Sequence, residues 1–210
     1  MADAPTVHPD LALFPLQTVL FPGGLLVLKV FETRYVDMVA ACLRERRPFG
    51  VVALRAGSEV RRPGSGEEVA LQGTGTLAEL IDVDSAQTGI LQIRCRGTRR
   101  FRLGPAHQQP DGLWRADATE WPDDPVVAPL EPQASAVTGL RQVIDALQEQ
   151  GELPFLQPLR FESAGWVANR WCEILPIAVE DRQLLLEMVD PVGRLAVVDS
   201  VLRSQAATNA

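Results

Sequence analysis

The chain has 210 residues, 46% of them apolar, and a formal net charge of −7 at neutral pH. That is enough chain for one large domain or two small ones, and enough apolar material for a core, which argues against a disordered protein. No apolar run approaches the ~20 residues that span a bilayer, and the acidic balance does not match a strongly basic nucleic-acid binder.

The first ten residues, MADAPTVHPD, lack a basic stretch followed by an apolar one, so they read as a short lead-in and no signal peptide is expected. The three cysteines, Cys42, Cys95 and Cys172, are widely spaced, and His8 and His107 lie far from them. Neither a disulfide framework nor a metal site is expected, and the chain reads as cytoplasmic. Its basic residues are 19 arginines and one lysine, Lys29. Residues 1–121 carry 14 basic and 14 acidic side chains, so the whole excess of negative charge lies in 122–210.

The first 121 residues read as short strands. LALFPL (11–16) is apolar and ends in Phe14-Pro15. A second Phe-Pro, Phe21-Pro22, leads through Gly23-Gly24 into GLLVLKVF (24–31), a nearly unbroken apolar run. Such a run predicts a strand buried on both faces or inside a barrel. Each proline is expected where a strand ends or turns, and the phenylalanine before it is biased toward extended backbone. A helix follows, with Thr33 as N-cap, an apolar face of Tyr35, Met38, Val39, Cys42 and Leu43, and Pro48 as its stop.

Further strands are predicted over PFGVVALRA (48–56) and ALQGTGTLAELIDVD (70–84), the latter running into an acidic turn. GILQIRCRG (89–97) and RRFRL (99–103) alternate and read as a hairpin about Gly97-Thr98; LWRADATEW (113–121) closes the series. Seven short strands suggest a barrel or a sandwich. The segment PDDPVVAPLEP (122–132) holds four prolines and reads as a stiff linker. Helical spacing follows in 133–151 (Val137, Leu140, Val143 or Ile144, Leu147), 159–176 (Val167, Trp171, Ile174, Leu175) and 179–190, and Asp190-Pro191 supplies the N-cap and first residue of a last helix.

Catalytic signals are weak. There is no G-x-x-x-x-G-K-[ST] and no G-x-S-x-G, and GSGEE (64–68) and GTGT (73–76) lack the continuation that a phosphate loop needs. A Ser-Lys dyad could use only Lys29, and the Cys-His pairings have no local support. Asp82 with Asp84 and Asp123 with Asp124 read as turn residues.

The residues resemble a known family. Phe14-Pro15-Leu16, Phe21-Pro22 and Phe31-Glu32-Thr33-Arg34-Tyr35 resemble the opening of the Lon substrate-binding domain family. GTGTLAELIDVD, RCRGTRRFRL and LPIAVEDRQLLLEMVDPVGRLAVVDSVL are similar to later segments of that family, in the same order, so the resemblance covers about 11–203. It implies an α+β fold: an N-terminal PUA-like β-barrel with one helix over 11–121, the proline-rich linker 122–132, and a C-terminal helical bundle over 133–203. It also implies a binding domain standing alone, without the ATPase and Ser-Lys peptidase modules of Lon, with no cofactor and no metal.

On that resemblance the expected function is a non-catalytic polypeptide-binding module for unfolded or extended polypeptide, an adaptor in protein quality control. The alternative is an RNA-binding PUA-like protein using Arg94, Arg96, Arg99, Arg100 and Arg102, though no exposed aromatic is interleaved with these arginines for base stacking. A purely structural partner subunit is a third possibility. The candidate peptide-binding residues are Phe31, Glu32, Thr33, Arg34 and Tyr35. Three polar side chains in a row there are expected at an exposed rim, where the first amides of the helix are also free.

Overall fold

In a computed structural model of the protein the described residues are 5–59, 69–87, 89–152 and 155–208. Their architecture is α+β, with seven strands and five α-helices. The glycine-rich stretch at 64–68 lies outside the described residues. The chain divides into two units, Met1–Asp123 and Asp124–Ala210.

The first unit holds all seven strands: β1 (Val7–Leu16), β2 (Leu25–Val30), β3 (Phe49–Ala56), β4 (Ala70–Gln87), β5 (Ile90–Leu103), β6 (His107–Gln108) and β7 (Trp114–Glu120). It also holds α1 (Thr33–Glu45). The sheet order is β2-β5-β4-β3-β1-β7-β6, and β7 pairs back onto β5. The pairings β5–β4–β3–β1–β7–β5 therefore form a closed circuit, with β2 attached to it through β5. Pro15 lies beyond Leu13, the last residue of β1 in register with β7, so its missing amide removes no bond on that side.

Side chains alternate along a strand, and β1 uses this to serve two cores. Ala12, Phe14 and Leu16 join Tyr35, Met38, Val39 and Cys42 of α1 with Val30, Phe49, Ile93 and Cys95. Leu11 and Leu13 join Val52, Leu77, Phe101 and Ala116 on the opposite side. The Phe14 ring stacks on Tyr35, with centroids 4.0 Å apart and planes 9° apart. Phe21 is wholly buried.

Four local expectations fail for identifiable reasons. The hairpin at Gly97-Thr98 does not form: 90–103 is one strand, paired along its length with β4. Gly97 permits close backbone approach instead of a turn, since a Cβ there would lie 2.4 Å from the Phe21 carbonyl oxygen. The run 24–31 is not buried on both faces: Val27, Lys29 and Phe31 on one face are exposed, and among the described residues β2 pairs with β5 alone. The acidic turn after residue 80 is strand, and Asp82 and Asp84 lie exposed in β4 opposite Arg94 and Gln92. Glu32 rather than Thr33 is the N-cap of α1, without a side-chain cap; at the other end Arg46 takes the left-handed conformation as C-cap, two residues ahead of Pro48.

The second unit is helical: a 3₁₀ turn (Glu131–Gln133), α2 (Ala134–Glu149), α3 (Ala164–Ile174), α4 (Val179–Glu187) and α5 (Pro191–Thr208). Ala136, Leu140 and Ile144 form the buried stripe of α2, and the Trp171 indole donates to the Ala136 carbonyl at 2.9 Å. Ser163 caps α3 by accepting from the Trp166 amide. The buried Arg194 joins separate segments: Nε donates to the Leu185 carbonyl, Nη1 to Asp124 and Asn169, and Nη2 to the Met188 carbonyl. A buried cation is tolerated only with such partners.

Asp190 accepts from the Val192 amide at 3.0 Å and so caps α5. Asp190→Ala is expected to cost about 1 kcal/mol, read as a lower urea midpoint at unchanged slope. Gly97→Ala is expected to cost about 2 kcal/mol by overpacking β5 against the Phe21 backbone, read from the same denaturation curves. A midpoint equal to that of the parent would contradict either assignment.

Candidate functional site

The corner after β2 consists of side chains with opposite fates. Phe31 is 56% exposed, Thr33 is exposed and Glu32 is half-buried. Arg34 and Tyr35 are buried. The expectation that the whole polar triplet lies on an exposed rim fails at Arg34, because this side chain has internal partners. Its Nη1 donates to the Gly112 carbonyl at 2.7 Å, its Nη2 meets the Glu32 carboxylate at 2.7 Å, and its guanidinium lies 4.5 Å from the Tyr35 ring centroid. Burial pushes the Tyr35 hydroxyl up to about 12, against the pull of Arg34. The amides of Tyr35 and Val36 already donate to the Glu32 carbonyl. Arg34 thus ties the corner to the loop before β7, and the members facing solvent are Phe31 and Thr33, with Glu32 partly so.

The strand leading into this corner presents a surface that the sequence reading missed. The Gly97 amide donates to the Gly24 carbonyl at 2.9 Å, and Leu26, Leu28 and Val30 lie opposite Cys95, Ile93 and Leu91. In an antiparallel ladder bonded and non-bonded pairs alternate. Residues 24, 26, 28 and 30 therefore bond to β5, while Leu25, Val27 and Lys29 direct their amides and carbonyls away from it. Among the described residues no strand pairs with that edge. Leu26 and Leu28 pack on the core, whereas Val27 is 49% exposed and Lys29 is exposed beside it. Lys29 was the available signal: a lysine inside an apolar strand marks an edge that must not aggregate.

The five arginines named for RNA do not form a free cluster. Arg100 is buried. Arg99 pairs with Glu120 at 2.8 Å and Asp123 at 3.3 Å, and Arg96 with Glu79 at 3.8 Å. Arg100 and Arg102 lie 5.1 and 5.6 Å from the Trp121 ring centroid, an aromatic that sequence spacing did not bring to them. Arg94 is exposed opposite Asp82.

All three cysteines are buried free thiols, and burial raises Cys42 and pushes Cys95 and Cys172 up to about 12. A buried thiol of this kind is inert. His8 bonds to Glu120 at 2.7 Å, and His107 lies 3.7 Å from Asp10. Among the described residues no three metal-ligating side chains converge, and no helix is long and apolar enough to cross a membrane.

With this geometry in view, the similarities to known proteins are informative. Residues 10–204 match the family described as the ATP-dependent protease La (LON) substrate-binding domain, and the chain belongs to that family. It is 27% identical over 204 residues to the Lon protease of Anaeromyxobacter dehalogenans and to Lon protease 2 of Myxococcus xanthus, in each case over 95% of this chain. It spans 23% and 24% of those two proteins, about a quarter of their length. Among solved structures it is similar to a Lon N-terminal domain protein from Xanthomonas campestris, with a TM-score of 0.70 at 29% identity over 91% of this chain and 97% of the other. The N-terminal domain of Mycobacterium avium complex Lon protease shares the fold, with a TM-score of 0.58 at 16% identity over 90% and 95% of the two chains.

Arg34→Ala removes a buried cation, leaves the Glu32 carboxylate without its partner and leaves the Gly112 carbonyl only the Gln108 side-chain amide at 3.0 Å. The expected cost is about 2 kcal/mol, the scale of lost hydrogen bonds to a charged group, whereas Thr33→Ala should be near neutral. Chemical denaturation of both variants checks this, and equal midpoints would contradict the role given to Arg34.

Proposed function

We propose that this chain is a non-catalytic polypeptide-binding module, acting as an adaptor in protein quality control in the cytoplasm. Its ligand is an unfolded or extended polypeptide, and neither nucleic acid nor membrane enters the reading. The closed circuit of strands is read as a PUA-like β-barrel over 11–121, joined by the segment 122–132 to a helical bundle over 133–203. Family membership supports a binding role, because the family is described as the substrate-binding part of an ATP-dependent protease.

The observation that carries the reading is the free edge of β2. Its outward backbone groups at Leu25, Val27 and Lys29 offer an extended chain the hydrogen bonds of a sheet, independent of sequence. Val27 and Phe31 add exposed apolar contact on one face. The corner Phe31, Glu32, Thr33, Arg34 and Tyr35 ends this edge: Phe31 and Thr33 are the members available for contact, and the buried Arg34 and Tyr35 hold them in place. The arginines of β5 supply no comparable argument for RNA, since most of them are engaged within the chain.

Lys29→Pro tests the edge. Proline there deletes an outward amide while the ladder to β5 keeps its bonds. Loss of one backbone hydrogen bond, about 1 kcal/mol, weakens binding at least about fivefold. Fluorescence anisotropy with a permanently unfolded, carboxymethylated protein should show this loss at an unchanged melting temperature, with Lys29→Ala close to the parent. Equal affinity in Lys29→Pro would overturn the reading.

A further inference from the structure

A second feature of the first unit lies where α1 ends against β4. Cys42, Leu43, Arg46, Arg47, Pro48, Glu79 and Leu80 line an open pocket of about 270 Å³. Its apolar part is Cys42, Leu43, Pro48 and Leu80, and Leu43 is 49% exposed although it sits on the helix. Its charged part is uneven. Arg47 is held by Glu45 at 3.0 Å, and Glu79 lies 3.8 Å from Arg96. Arg46 has no ion-pair partner among the described residues. The amides of Arg46 and Arg47 both donate to the Cys42 carbonyl, which satisfies one of the last carbonyls of the helix beside the pocket.

We infer that this pocket takes the C-terminal residue of a polypeptide, with an apolar side chain against Leu43 and Leu80 and the terminal carboxylate on Arg46. The inference rests on the polypeptide-binding reading and names the part of the ligand that is recognised. Two features select this occupant. The unpaired guanidinium beside an apolar floor is complementary to a group both apolar and anionic. The pocket is also too small for much more than one residue, so both properties must come from the same residue. An apolar residue followed by an aspartate does not satisfy this, because successive side chains of an extended chain point to opposite faces. A terminal residue carries side chain and carboxylate on one Cα. Capture of a chain terminus is a recurring mode of peptide recognition.

The test uses short fluorescein-labelled peptides of one sequence ending in leucine, with the terminus free or amidated, titrated against the full chain. The free acid is expected to bind about tenfold tighter, the scale of one charge-assisted hydrogen bond. Replacing the terminal leucine by serine should weaken the free acid. Arg46→Asn should abolish the preference for the free acid. This variant keeps the turn, because asparagine tolerates the positive φ of position 46. Equal affinities of acid and amide, or a preference that survives Arg46→Asn, would overturn the inference. If both peptides bind equally and lose affinity with Lys29→Pro, the terminus pocket is wrong and the edge reading stands. If no peptide and no unfolded protein binds, both are wrong.

Discussion

Strand β5 cannot serve one neighbour along its whole outer side, and the rest of the first unit follows from that. Its first half, opposite β4, carries β2 through the pairs from Leu25–Arg96 to Val30–Leu91. Its last residues, Phe101 to Leu103, pair with β7 and complete the circuit of strands. The exchange of partners falls at Gly97, where the Gly23-Gly24 turn crosses and exchanges two backbone hydrogen bonds with Gly97. Any side chain at that position would collide with the Phe21 carbonyl. The geometry leaves β2 outside the circuit, bonded among the described residues on one side only, and this is the origin of the edge proposed to take a ligand.

The corner shows how such an edge is kept in register. Arg34 reaches the Gly112 carbonyl before β7, the Tyr35 ring stacks on Phe14 of β1, and α1 closes over the core that β1 shares with β5. The end of β2 is thereby fixed from three directions while Phe31 stays in solvent. Fixed backbone next to exposed apolar side chains suits the proposed recognition of extended chain, since such a site would lose little freedom on being occupied.

Much of this was legible in the sequence. Alternation placed Ile93, Cys95 and Phe101 inside, and helical spacing placed Tyr35, Met38, Val39 and Cys42 on the buried face of α1, although Leu43, expected there too, is 49% exposed; the Asp190-Pro191 cap also reads directly from local chemistry. What failed was whatever depends on a distant neighbour. Gly97 looked like a turn because glycine signals both turns and close approach, and only the position of Phe21 distinguishes them. The apolar run of β2 looked buried on both faces or inside a barrel, because hydrophobicity alone does not report what covers each face. Arg34 looked exposed because its acceptor, Gly112, lies 78 residues away in the chain. Of the candidate site, the corner was proposed from sequence, whereas the edge beside it needed the strand order.

The central claim is that β2 accepts an added strand, and residue-resolved amide hydrogen exchange tests it most directly. In the free protein the amides of Leu26, Leu28 and Val30 are bonded to β5, while those of Leu25, Val27 and Lys29 face outward and should exchange fast. Addition of a saturating unfolded polypeptide should slow exchange at Leu25, Val27 and Lys29 selectively. Unchanged exchange at these three amides, with the polypeptide demonstrably bound elsewhere on the chain, would contradict the account.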